Sequence, residues 1–164
     1  MFKLSKSNSK RIQKLILFVL VAIAATAGLL FVALNNRPLI RTSDMQDATF
    51  PIYAPTREPD GYKLDQSATK IGPETFSFTF TDRGGQDDIV VTMQPVPGNF
   101  DMAKLIGGGS VTSTTTDLGV LYDLSTSDKA QYLLKTDKTL IFITSASSIS
   151  IEAIKTLVAG LSRV

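Results

Sequence analysis

From Leu15 to Leu34 the chain runs through twenty residues whose apolar character is broken only by Thr26 and Gly28. As a helix rising about 1.5 Å per residue, this segment is about 30 Å long, the thickness of a bilayer's hydrocarbon core. Thirteen of the twenty are Leu, Ile, Phe or Val. Each favours insertion by roughly 0.3–0.6 kcal/mol, which outweighs the small cost of the threonine and glycine. The pattern predicts a transmembrane helix over 15–34. Asn35 to Thr49 is polar, mixed in charge and interrupted by Pro38, and reads as a linker.

From Phe50 onward a period of two takes over. A first strand is expected over Gly61 to Ile71, introduced by the turn residues Glu58, Pro59, Asp60 and Gly61. Phe76, Phe78 and Phe80 alternate with Ser77, Thr79 and Thr81, which sets one face in a core and the other in water. Asp82 to Gln86 supply a turn, and Asp88 to Val96 returns as the second arm of a hairpin. Asn99 or Asp101 caps a short helix reaching Lys104 or Ile106, which Gly107, Gly108 and Gly109 end. Strands over 111–116 and 120–124 flank Asp117 and Gly119, and a hairpin over 130–144 turns at Thr136, Asp137 and Lys138.

The period then lengthens to that of a helix. Ile151, Ile154, Leu157, Val158 and Leu161 share one face, Ser150 stands at the N-cap, and Glu152 lies in the first turn where the dipole favours an acid. Ile149 is spaced to staple onto Ile154. Such a stripe needs an apolar partner, and the phenylalanine-bearing face of the sheet is the expected one.

Charge orients this arrangement. The overall balance of +2 conceals a split: Lys3, Lys6, Lys10, Arg11 and Lys14 precede the apolar run with no acid among them. Beyond residue 41, fifteen acids face ten basic residues, a net of −5. By the positive-inside rule the N-terminus is cytoplasmic and the remainder lies outside. The expected organisation is a cytoplasmic basic tail over 1–14, a transmembrane helix over 15–34, a linker over 35–49 and an extracytoplasmic domain over 50–164. The fold class is α+β, a mostly antiparallel β-sheet domain covered by a C-terminal amphipathic helix. A cleaved signal peptide is the competing reading, because Ala25, Thr26 and Ala27 form a small-x-small site. Against it, cleavage after Ala27 would leave Gly28 to Leu34 as an exposed apolar leader.

Composition removes several chemistries. There is no His and no Cys, so His/Cys zinc sites, Ser-His-Asp triads and cysteine nucleophiles are impossible in this chain alone, and no disulfide is formed. A mildly acidic outer domain lacks the clustered Lys and Arg that bind phosphate backbones, which excludes nucleic acid as a partner.

The segment Ile52, Tyr53, Ala54, Pro55, Thr56, Arg57, Glu58, Pro59, Asp60, Gly61, Tyr62, Lys63, Leu64 resembles the opening of DUF4367-type domains, where a Pro-x-Gly-Tyr turn leads into the first strand. Ala130 to Leu161 is similar to the hairpin and Ser-led helix that end that family, so the resemblance covers roughly residues 50–162. It implies a membrane-tethered extracytoplasmic domain in the style of LolA-like half-barrels, with no established catalytic residues. The chain departs from the pattern in carrying Leu133 and Leu134 where such domains often have Trp.

Candidate sites each carry a plainer reading. Asp82, Gly84, Gly85, Asp87 and Asp88 offer oxygen ligands for calcium but lack EF-hand spacing, and read as a hairpin turn. Gly107 to Ser110 lacks the Lys-Ser/Thr of a phosphate loop and reads as a helix stop. The run from Ser110 to Thr116 reads as a glycosylated stalk or, given Val111 and the stretch that follows, as a solvated edge strand. Phe76, Phe78 and Phe80 form either an apolar contact surface lining a lipid or peptide cavity or a core stripe under the C-terminal helix.

The leading expectation is a binding or interaction module without catalytic activity, cofactor or metal. It would be held in the bilayer through Leu15 to Leu34 and meet an envelope protein or apolar ligand through the sheet's inner face or an exposed strand edge. The alternatives are a carrier or sensor of an apolar ligand and a His-free tethered hydrolase. The missing histidine weighs against the hydrolase, because general acid/base work near neutral pH most often uses it.

Overall fold

Two antiparallel meanders meet side by side to make the main sheet. The computed structural model describes residues 38–41, 45, 48–84, 87–107 and 111–164. The expected basic tail and transmembrane helix lie outside the described residues, and among the described residues no helix is long and apolar enough to cross a membrane.

The first meander is β2 (Tyr62–Ile71), β3 (Phe76–Asp82) and β4 (Asp88–Pro95). The second is β5 (Thr112–Thr116), β6 (Gly119–Asp123), β7 (Ala130–Lys135) and β8 (Thr139–Ser145). Pairing of β4 with β8 joins them into seven strands in the order β2-β3-β4-β8-β7-β6-β5, every neighbour antiparallel. The two free edges are therefore the first strand of each meander. Between β4 and β5 lies the short helix α1 (Met102–Leu105), whose N-cap Asp101 accepts the Ala103 N–H at 2.9 Å.

Alternation sorts the sheet's inner face. Phe76, Phe78 and Phe80 lie opposite Met93, Val91 and Ile89 of β4, and these continue through Ile141 and Ile143 of β8 to Leu134 and Tyr132 of β7. All are buried in one hydrophobic cluster. On the opposite face Leu133 and Leu140 are also buried, outside that cluster, so β7 and β8 are covered on both sides and the expected core-and-water division fails there.

What covers the inner face differs from expectation. Helix α2 (Ile151–Ala159) starts at Ser150 as its spacing predicts, with the serine hydroxyl accepting the Ala153 N–H at 3.2 Å, and it buries Ile154, Leu157 and Val158. At about 1.5 Å per residue its nine residues reach roughly 13 Å, while seven strands about 4.8 Å apart span roughly 29 Å. One helix cannot roof that sheet. A two-stranded ribbon of β1 (Tyr53–Pro55) with β9 (Leu161–Arg163) supplies more cover through Tyr53, Ala54 and Leu161. Ile40, Met45, Phe50 and Ile52 add to it.

Two expectations are thereby corrected. The compact unit begins at Pro38, so the stretch read as a linker over 35–49 carries core residues. The Leu39 N–H bonds to the Pro55 carbonyl at 2.7 Å beside buried Ile40, because isolated apolar residues in a polar stretch still gain by burial. Leu161 leaves the helical stripe. The chain exits the helix at Gly160, whose carbonyl accepts both the N–H and the hydroxyl of Thr56 at 2.8 Å, and Leu161 enters the ribbon opposite Pro55.

Candidate functional site

Backbone hydrogen-bonding capacity makes a strand edge a binding element, since its outward N–H and C=O groups lack partners until another strand arrives. The main sheet has two edges, and the sequence treats them differently. β2 carries Lys63, Asp65 and Lys70, and its pairing with β3 shifts register between Asp65 and Lys70. Within that irregular stretch the Asp65 carboxylate accepts the Ser67 hydroxyl at 2.6 Å and its N–H at 2.9 Å. These bonds, the hydroxyl first, hold Asp65 below the usual carboxylate range. Leu39, Ile40 and Arg41 lie beside Gln66 and Thr69 of this strand, around a groove of about 270 Å³. Charges and a register break are among the devices that discourage strand addition.

Among the described residues β5, which lies beside the C-terminal helix, carries no charge and no register break. Its five residues are Thr112, Ser113, Thr114, Thr115 and Thr116, and they pair with β6 in unbroken register from Thr112↔Asp123 to Thr116↔Gly119. Among the described residues β5 pairs with no other strand. The solvated edge strand expected from the threonine run is thus an edge, and it is uncharged and regular.

The β5–β6 hairpin is anchored where it turns. The Thr116 hydroxyl donates to the Gly119 carbonyl at 2.9 Å. Gly119 has φ +151°, and a Cβ built there would run into the backbone carbonyl of Lys135 in β7. Only glycine lets the hairpin come this close to its neighbour.

Beside the edge stands α2. Thr114, Thr115, Thr116, Asp117 and Leu118 border, together with Lys155, Val158 and Ala159, a groove of about 220 Å³. Thr114 is opposite core Leu121 and shares its face, so Thr112, Thr114 and Thr116 lie on the helix side and Ser113 and Thr115 on the other. The Lys155 ammonium donates to the Glu152 carboxylate at 2.9 Å, so the helix rim carries balanced charge.

The other candidates resolve into structural roles. Phe76, Phe78 and Phe80 are fully buried, with ring centroids 5.8 and 5.5 Å apart and the second pair edge to face. Met93, opposite Phe76, accepts the Tyr53 N–H on its sulfur at 3.5 Å, which ties the ribbon down over the stripe. As folded, the three rings offer no surface to solvent.

At the β3–β4 turn the Asp82 N–H bonds to the Asp87 carbonyl at 3.0 Å, closing a hairpin, while Gly85 and Gln86 lie outside the described residues. Among the described residues no group of three or more acids gathers as a metal would need. Tyr62 sits against this turn, and burial first, then the charges of Asp87 and Asp82, push its phenol up. Gly108, Gly109 and Ser110 lie outside the described residues. α1 stands near the ends of β6 and β7, where Leu105 and Ile106 share a groove of about 380 Å³ with Leu124, Ser125 and Gln131.

Sequence reasoning found the edge strand and the helix but not their adjacency. The stripe assigned Val158 wholly to the core, whereas Val158 also borders the groove. Compared with known proteins, the chain matches no family model, no curated protein and no solved structure. The likeness of residues 50–162 to DUF4367-type domains rests on its short motifs alone.

Proposed function

We propose that the protein is a membrane-anchored extracytoplasmic interaction module, without catalytic activity of its own, that offers the β5 edge as its contact surface. The observation that carries this reading is the contrast between the two edges of one sheet. β2 is charged and irregular, whereas β5 is uncharged, regular and bordered by a groove with apolar residues from α2. Strand addition at such an edge takes its affinity from main-chain hydrogen bonds and its selectivity from pockets for alternate side chains. The apolar run Leu15 to Leu34 and the basic residues before it support the anchor and its orientation. The buried phenylalanines favour a core role over a carrier's cavity.

Two measurements test the reading. Because the chain has no cysteine, Ser127→Cys and Ser7→Cys each create a unique thiol. A membrane-impermeant maleimide should label the first in intact cells and the second only after permeabilisation; the reverse pattern would overturn the topology. A photo-crosslinking amino acid at Thr115 should give adducts of discrete mass, and one at Lys63 should not. Absence of any discrete adduct from Thr115 in native membranes refutes the interaction role.

A further inference from the structure

We infer that the occupant of the β5 edge is a second copy of this chain, paired antiparallel across a two-fold axis at Thr114; this rests on the interaction reading above and names its partner. Antiparallel self-pairing about Thr114 sets Thr112 opposite Thr116 of the copy, Ser113 opposite Thr115, and Thr114 opposite itself. Every cross-strand position then joins two hydroxyl residues, with no charge anywhere in the ladder. The same operation on the full length of β2 sets Lys63 opposite Lys70 twice, a like-charge arrangement that destabilises a sheet. One edge is written to accept its own copy and the other to reject it.

A two-fold axis normal to the sheet keeps both inner faces on the same side. Thr112, Thr114 and Thr116 of each copy therefore come beside the groove that Val158, Ala159 and Leu118 border in the other. The rim they approach carries the Lys155–Glu152 ion pair and, at the end of β5, Asp117. The contact is isologous and closes on itself, and the edges left outermost are the two guarded β2 strands. A dimer results where two unguarded edges would have propagated a filament. A five-residue ladder is small beside a stable standard-sized interface, and the anchor supplies the missing driving force by confining both copies to one surface, which raises their effective concentration.

The absence of native cysteine makes the register testable in the full chain in its membrane. Directly opposed residues of an antiparallel pair have Cα atoms about 4.5–5.5 Å apart, within the span of a disulfide. Thr114→Cys, oxidised in the membrane, should give a reducible band at twice the monomer mass, while Lys63→Cys should remain monomeric. Adding Ser113→Lys and Thr115→Lys places like charges opposite each other and should reduce the dimer band at least tenfold. Replacing the second of these by Thr115→Glu places opposite charges there and should restore it.

Equal cross-linking of all three β5 variants, or of Lys63→Cys, would mean random collision and overturn the proposal. No dimer from Thr114→Cys, with discrete adducts of another protein from the photo-crosslinker at Thr115, would also overturn it and leave the interaction role standing with a foreign strand as occupant.

Discussion

Replacing Gly119 by alanine should be among the most damaging single-methyl changes available in this chain. The added Cβ meets the Lys135 carbonyl and the Thr136 Cα, all backbone at the end of β7, so no flexible side chain can swing aside. Overpacking of this kind costs about 1–3 kcal/mol. Holding an L-residue at φ +151° adds about 1–3 kcal/mol, and the lost freedom of the unfolded chain returns about 0.4–1 kcal/mol. The net loss is about 2–5 kcal/mol, a large fraction of the roughly 5–15 kcal/mol that keeps a domain folded.

Two other glycines calibrate the measurement. Gly61 has φ +86° with open space around it, so Gly61→Ala should cost about 1 kcal/mol from backbone strain alone. Gly98 has open space and no positive φ, so Gly98→Ala should fall within about 0.5 kcal/mol of the parent. Urea titration of fragment 38–164, followed by circular dichroism, reads all three. The order Gly98, Gly61, Gly119 is the test. A Gly119→Ala midpoint equal to that of Gly98→Ala would mean that β6 does not approach β7 as described, and the placement of the β5 edge would fall with it.

Ile154→Ala and Leu157→Ala each truncate a buried side chain of α2 and should cost about 2–5 kcal/mol in the same titration, against about 0.5 kcal/mol for Leu105→Ala at an exposed site. Deleting residues 38–47 should lower the melting temperature of the fragment, because Ile40 and Met45 leave the core; an unchanged melt would restore the linker reading. The raised pKa of Tyr62 means that the folded state favours the neutral phenol. Its contribution is fully present below the unfolded value near pH 10 and is lost as pH rises through the folded value. Tyr62→Phe should therefore flatten the alkaline limb of the stability profile. Asp65 has the opposite sign, its contribution being present above about pH 4 and lost as pH falls through the lowered folded value. Ser67→Ala should raise the Asp65 pKa as read by carboxyl NMR titration.

Most of the sheet was legible because its signals are local. Alternation marked β3, the Asp82–Asp87 turn marked its hairpin, and Ser150 with the spacing of Ile154, Leu157 and Val158 marked α2 to the residue at its start. The failures share one physical cause, which is that their determinants are distant in sequence. β1 and β9 are three-residue strands that exist only because they pair across more than a hundred residues, and neither is long enough to show a period. Ile40 and Met45 look like strays in a polar stretch, since nothing local reveals that an uncovered inner face awaits them. The extra length of roof that α2 cannot supply follows from the number of strands in the sheet, a quantity no single segment encodes.

The edge was half legible for the same reason. Five hydroxyl residues in a row, free of charge and proline, identify a strand that is solvated and unguarded, and that property is local to Thr112–Thr116. That the strand ends the sheet follows from the order in which the meanders join. β5 is outermost because the second meander returns through β8 to meet β4, leaving its first strand farthest from the junction. The groove comes from a third source, the packing of α2 beside β5, which turns Val158 and Ala159 toward the edge. A bare strand edge exposes hydrogen-bonding groups to any passing segment, and natural sheets blunt such edges unless something fills them. This chain blunts β2 with charge and a register break, so means of protection exist within the same sheet. Among the described residues neither device appears in β5, whose groove is bordered by apolar side chains, and that contrast argues for an occupant.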